Sequence, residues 1–258
     1  MSMMKKMARM VVVSACFSVL VGCTKPYYHL NPAARNQFTT TMVVLGISQS
    51  EINTNINESQ ATETLGGGLL PALIDGLVDN ASTKKAEGTV QPVRDALVNY
   101  DFPAVLSYSL TSELLRLGWL HPQPVIVDRE VAKNWQKTFL EGSTAGAVLF
   151  VTGDYAFTPN FEKIILNSKV VMYPHSENLF AYCEKKSSPG GNPVKKGKCI
   201  YRNDNLVAEE SLGVSKLKAT AAVTMWAENN GARARAALNK IAQDMAKSIA
   251  ADLVKQDE

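Results

Sequence analysis

Cysteine and histidine are scarce in this chain, and most metal and redox chemistry is excluded with them. Four cysteines occur in 258 residues, at positions 16, 23, 183 and 199, which is too sparse for a disulfide scaffold or a zinc module. His29, His121 and His175 stand far apart, at no metal-ligand spacing. No serine lies in a Gly-x-Ser-x-Gly elbow. Gly66-Gly67-Gly68 is not followed by Gly-Lys-Ser/Thr and lacks the dinucleotide spacing, so it is no phosphate loop. Asp154, beside Tyr155, is where a catalytic acid could stand, but it has no partner motif and reads as a strand-end turn residue. The chain is therefore expected to be a non-enzyme without metal or cofactor.

An excess of one charge is also missing. The formal charge is +3, but Lys5, Lys6 and Arg9 lie in an amino-terminal segment that contains no acid. Without that segment, 24 basic side chains face 24 acidic ones. Such a balance gives no general hold on nucleic acid or on acidic lipid. What remains is ordinary for a globular chain, 46% hydrophobic and 20% charged. The length allows one sizeable core.

Met1 to Arg9 is basic, and Met10 to Gly22 is an apolar run of 13 residues. That run has signal-peptide length and is shorter than the roughly 20 residues of a transmembrane helix. Leu20-Val21-Gly22-Cys23 closes it and resembles a bacterial lipobox. The resemblance implies removal of residues 1–22 and a diacylglycerol thioether with palmitate-type acylation on Cys23. Cys16 is a weaker candidate, because little apolar sequence precedes it. Two or more acyl chains hold a protein stably on a bilayer. Thr24, a residue other than aspartate after the lipidated cysteine, implies outer-membrane delivery by the sorting habit of enteric lipoproteins.

Residues 23–37 carry Pro26 and Pro32 around Tyr27, Tyr28 and His29 and read as a tether across the domain surface. Phe38 to Ile47 is rich in β-branched residues and is expected to be the first strand, with the polar stretch Ser48 to Thr64 a long loop, or an exposed strand extension followed by a loop. After Gly66 to Gly68, Leu69, Leu70, Leu73, Ile74, Leu77 and Val78 recur at helical spacing. That face reads as core, with membrane or partner docking as the alternative. Gly88 and Pro92 mark a break before a helix over 93–100, and Asp101 caps a helix over 104–117. Pro124 to Val127 is a short strand, and Asp128 is expected to cap a helix over 129–140. Ala145 to Ala156 reads as a central strand buried on two faces, with 161–173 antiparallel beside it. Leu179 to Glu184 and Lys198 to Asn203 form the next expected strand pair. Leu206 to Trp226 is a strand remnant followed by a helix from Leu217. Asn229-Asn230-Gly231 turns the chain into the longest helix, 232–254, striped by Leu238, Ile241, Met245, Ile249 and Leu253.

Over about residues 38 to 203 this order resembles the α/β domains of several periplasmic lipoproteins. These are the curli-secretion lipoprotein, the outer-membrane activators of peptidoglycan synthases, and the amino-terminal domain of the Tol-system propeller protein. The resemblance implies assembly and protein contact rather than chemistry, and the long insertion after the first strand departs from it. Thr152-Gly153-Asp154-Tyr155-Ala156-Phe157-Thr158-Pro159 and Met225-Trp226-Ala227-Glu228-Asn229-Asn230-Gly231 also resemble phrases of uncharacterised proteobacterial lipoproteins of about this length.

In an oxidising periplasm the pair Cys183 and Cys199, left over once Cys23 carries lipid, is expected to form a disulfide across a lysine-rich hairpin. A metal pair or redox couple is the alternative, disfavoured by a spacing other than Cys-x-x-Cys. Lys185, Lys186, Lys195, Lys196 and Lys198 lie between Glu184 and Asp204 with no acid among them. They form a candidate interaction patch for phosphates, peptidoglycan or an acidic partner, although such clusters usually just face water. The expected fold is α/β: a mixed, largely antiparallel sheet of about 5–6 strands packed by helices, with a long amphipathic carboxy-terminal helix. The expected organisation is a removed signal peptide (1–22), a lipidated tether (23–37) and one periplasmic domain (38–258). The expected role is that of a non-enzymatic accessory or assembly factor of a cell-envelope complex, lipid-anchored to the periplasmic face of the outer membrane. A binding module for a small apolar or glycan ligand is the alternative. The partners expected are the membrane, through Cys23, and an envelope protein, with no nucleic acid; a homo-oligomer is left open.

Overall fold

The run Ala147–Phe157 organises the sheet, because its odd and even residues are apolar toward opposite faces. The computed structural model describes residues 27–54, 80–183 and 199–255. In chain order its strands are β1 (Tyr27–Tyr28), β2 (Thr41–Gly46), β3 (Asn53–Thr54), β4 (Ile126–Asp128), β5 (Ala147–Phe157), β6 (Lys163–Pro174) and β7 (Tyr201–Ser211). Its helices are α1 (Asn80–Ala96), α2 (Phe102–Leu115), α3 (Trp135–Gly142), α4 (Glu177–Phe180) and α5 (Ala219–Val254), with a 3₁₀ turn at Pro32–Gln37. The strands form one mixed sheet of seven in the order β1-β7-β6-β5-β2-β4, and β3 pairs with the far end of β5. β5, β6 and β7 are antiparallel neighbours, while β2 and β3 run parallel to β5 and β4 runs parallel to β2. The expected α/β class and long terminal helix are thus present. The strand number exceeds the expectation because β1 and β3 are two-residue strands without a periodicity of their own.

Side chains alternate across a strand. Leu149, Val151, Tyr155 and Phe157 of β5 enter a large core with residues of α1, α2 and α5, whereas Val148 and Phe150 enter a smaller core on the other face. The smaller core is closed by α3, whose Trp135 ring packs at 5.0 Å from Phe150 in an edge-to-face contact. Gly46 permits that seat: a Cβ there would lie 2.9 Å from the Trp135 ring.

The carboxy-terminal helix is two helices joined by a sharp turn. Asn229, Asn230 and Gly231 have φ of 51°, 55° and 71°; asparagine and glycine are the residues that visit this left-handed region readily. Beyond the turn, Leu238, Ile241, Met245, Ile249 and Leu253 are all fully buried. Before it, Trp226 is buried and donates its indole N–H to Phe161 O at 2.7 Å. The turn and both helices follow the sequence pattern, the first starting at Ala219 rather than Leu217.

Four expectations are corrected. The segment 93–100 is no separate helix, because α1 runs through Gly88 and Pro92 to Ala96. An interior proline costs about 3 kcal/mol, and burial of Val90, Val93 and Ala96 on one face offsets it. The helix after β4 starts at Trp135, with Asn134 rather than Asp128 at its cap position. Asp128 instead accepts hydrogen bonds from the backbone N–H of Glu130 and Val131, and Val131 sits at φ 41°, outside a helix. Residues 177–180 form α4 rather than part of a strand, following Pro174, which ends β6. The partner of β7 is therefore β6, with β7 extending to Ser211 instead of leaving only a remnant after Leu206. Asp101 does cap α2, accepting from Ala104 N at 3.1 Å.

Candidate functional site

The segment read as a tether is pinned to the domain from Tyr27 onward. Tyr27 and Tyr28 lie opposite Asn203 and Arg202 of β7, and Leu30 and Ala34 are buried. The fastening point is Asp252, in the last turn of α5. Its carboxylate accepts Tyr27 Oη at 2.7 Å, Tyr201 Oη at 2.5 Å and Asn203 Nδ2 at 2.8 Å. Burial favours the neutral carboxyl, but the three donors, with His29 nearby, outweigh it and hold Asp252 below its ordinary pKa. Burial and the adjoining Asp252 push the Tyr201 phenol far up. Tyr27 also meets the His29 ring edge-on at 4.2 Å, and Arg35 donates to Leu253 O at 3.4 Å. This group ties the first described strand to the end of the last helix. It offers a lock rather than a reaction centre.

Among the described residues, the second sheet face is covered over one half only. Under α3 it is apolar, with Val44, Val148, Phe150, Val171, Tyr173 and Cys199 buried and Trp135 and Phe139 half-exposed above them. Further along the same strands the face turns polar: Thr152, Asp154, Asn167 and Lys169 are half-buried there, paired as Thr152↔Lys169 and Asp154↔Asn167. Burial raises the Asp154 pKa, and a 3.3 Å hydrogen bond from Asn53 opposes it only in part. Asp154 is thus a mid-strand residue of an open sheet face rather than a strand-end turn. Among the described residues, no group of three or more His, Cys, Asp or Glu side chains could hold a metal ion. No described helix is long and apolar enough to cross a membrane.

Where loop 47–54 meets α1, Arg94 binds Ile52 O at 3.1 Å and contacts both Glu87 and Glu51. Glu87 also accepts from Thr54 Oγ1 at 2.6 Å. Burial works against the Glu87 carboxylate, but Arg94 and Thr54 overcome this and lower its pKa. The cluster fastens β3 to α1 and, like the Asp252 lock, is structural in character.

Of the residues singled out in the sequence, Cys23, Gly66 to Gly68, and the patch Lys185, Lys186, Lys195, Lys196 and Lys198 lie outside the described residues. Cys183 follows α4, half-buried against the helical core, and Cys199 precedes β7, buried in the smaller core. Both lie at the end of the sheet where β6 stops and β7 starts. His121 and His175 each lie in a connection between elements, and His175 Nδ1 stands 3.1 Å from Ala145 O. The Asp252 lock went unnoticed in the sequence. Its signal was there: an aspartate in the last turn of a helix opposes the helix dipole and calls for local donors.

No protein-family model, no curated protein sequence and no solved structure matches this chain.

Proposed function

We propose that this chain is a lipoprotein, anchored through Cys23 to the periplasmic face of the outer membrane, that serves as a non-enzymatic accessory or assembly factor of an envelope complex. The observation that carries the proposal is the sequence Leu20-Val21-Gly22-Cys23 closing an apolar run of signal-peptide length. The fold agrees with it: the first described strand begins four residues after Cys23 and is locked at once to the domain. The half-open sheet face supports the contact role, since among the described residues it offers an apolar half beside a polar one. The test is metabolic labelling with a palmitate analogue. Labelling of the wild-type chain and its loss in Cys23→Ser, with release into the soluble periplasm, is the expected result. Labelling that persists moves the site to Cys16, and absence of labelling in the wild type overturns the anchor. For the partner, affinity isolation after light cross-linking of cells is expected to return one reproducible envelope protein.

In the same reading, Cys183 and Cys199 are joined in the periplasm by exchange with an oxidising disulfide, each thiol losing a proton as the pair gives up two electrons. A loop of about 15 residues is then closed, which the chain-entropy model values at roughly 3 kcal/mol before any strain. Alkylation with and without prior reduction checks this: labelling of both thiols without reductant refutes the bond.

The alternative, a module for a small apolar or glycan ligand, draws support from Trp135 and Phe139, half-exposed over Phe150. Native mass spectrometry of protein purified from cells decides it. A co-purifying mass that Trp135→Ala abolishes favours this role, and a clean apo mass removes it.

A further inference from the structure

The sheet has two unlike edges. On one side, β4 ends the sheet with three residues, Ile126–Asp128. On the other, β7 is covered by β1 only at Arg202 and Asn203. From Asp204 to Ser211 no described strand pairs with β7 on its outer side. An open edge of that length is a template for unwanted pairing, which proteins blunt with charge or by covering it. Some charge is present, as Glu209 and Glu210, while Asp204 is buried against Arg202, and Val207 stands 54% exposed in the middle of the edge strand.

The anchor bears on this edge. Cys23 lies four residues before Tyr27, and four residues of chain reach at most about 14 Å even when fully extended. Tyr27 is not free to swing. It is held by its register opposite Asn203 and by its hydroxyl on Asp252. The chain running antiparallel to β7 enters β1 from the side toward which β7 proceeds after Asn203, the side of Val207. The opposite edge, β4, is five strand positions away from β1, or about 24 Å at the usual spacing.

We propose that the β1/β7 edge of the sheet lies against the lipid headgroups of the bilayer that holds Cys23, with the β4 edge directed into the periplasm. The inference rests on the lipid anchor proposed above. Headgroups and interfacial water satisfy the outer backbone groups of β7. The bilayer surface denies the edge to other strands, and Val207 meets the interface. The domain is then held in one orientation, and the half-open sheet face stands roughly upright to the membrane, accessible from the side.

The test uses the full-length lipidated protein in phosphatidylethanolamine–phosphatidylglycerol vesicles containing a headgroup spin-labelled lipid. A fluorophore is attached through an introduced azide-bearing residue at Val207 or at Ile126; both side chains are exposed, at 54% and 39%. The label at 207 is expected to be quenched several-fold more than the label at 126. Equal quenching, or stronger quenching at 126, in protein that floats with the vesicles overturns the orientation and leaves the anchor standing. Wild-type protein that does not float overturns the anchor, and the orientation falls with it. A second copy or a partner strand seated on β7 would show as weak quenching at both labels in floating protein, which also overturns the proposal.

Discussion

Asp252 stands where a carboxylate is poorly placed, in the last turn of a helix whose dipole already carries negative character there. That position costs about 0.3–1 kcal/mol, and three donors reverse the balance. Replacing it by alanine strands the buried Tyr201 hydroxyl as well as removing charge-assisted bonds. Asp252→Ala is expected to lose about 1.5–3 kcal/mol, read from urea unfolding at neutral pH. The pH dependence has a definite sign. Folding lowers this pKa, so the stabilisation is complete above the unfolded value of about 3.9 and fades as pH falls through the lower native value. The gap between wild type and Asp252→Ala is therefore widest at neutral pH and narrows in acid. Asp154 has the opposite sign. Folding raises its pKa, so its contribution is most favourable in acid and declines as pH rises from the unfolded value through the native one. Asp154→Asn, which keeps an acceptor for Asn53, is expected to raise the thermal midpoint at pH 7 and to match wild type below about pH 4. A variant less stable than wild type at pH 7 would refute the buried-carboxylate account.

Elements were legible in the sequence in proportion to how much of their cause was local. The kink of α5 was readable from Asn229-Asn230-Gly231, since three residues tolerant of positive φ in succession have few other uses. Gly231 is doubly required, by φ 71° and by Ala96, whose Cβ would lie 3.0 Å from an added Cβ. Gly231→Ala is expected to cost about 1–2 kcal/mol from left-handed backbone alone, and more if α1 must shift. Gly88→Ala, where an added Cβ meets nothing within 4 Å, is expected to be neutral or slightly stabilising; chemical denaturation of the two variants side by side makes the comparison. The continuity of α1 across Pro92 was not legible, because the burial that holds it comes from α5 and β3, distant in sequence. The same holds for β1: two residues carry no period, and only the register with β7 and the bond to Asp252 make Tyr27–Tyr28 a strand. The start of α3 was misplaced for a different reason. Val131, Trp135 and Phe139 fit a helical spacing, but Asp128 spends its capping capacity on the two N–H groups just after it, and the chain turns at Val131 before the helix begins. Of the candidate sites, the surroundings of Cys183 were not legible, because α4 takes the place of the strand expected to carry it.

At the scale of the whole molecule, the two sheet faces divide the labour. One is sealed by α1, α2 and α5 and accounts for the stability of the domain. Among the described residues the other is sealed under α3 only, and its remaining part carries Thr152, Asp154, Asn167 and Lys169, all half-buried. A sheet face that an intramolecular helix could have covered, left polar and half-exposed, is suited to a partner that is itself polar at the rim of its contact. If an envelope protein binds there, a large charge placed on that face should remove binding without unfolding the domain. Thr152→Arg and Asn167→Arg put such groups on adjacent strands at half-buried positions, and the long arginine stem carries its charge out to solvent. The expected outcome is a thermal midpoint close to wild type, unchanged lipid labelling of Cys23, and loss of the cross-linked partner. Arginine on the exposed outer side of α2, at Tyr108, which is 79% exposed, provides the contrasting variant and should retain the partner. Partner recovery that survives both sheet-face substitutions but fails in Tyr108→Arg would move the contact surface to the helical layer.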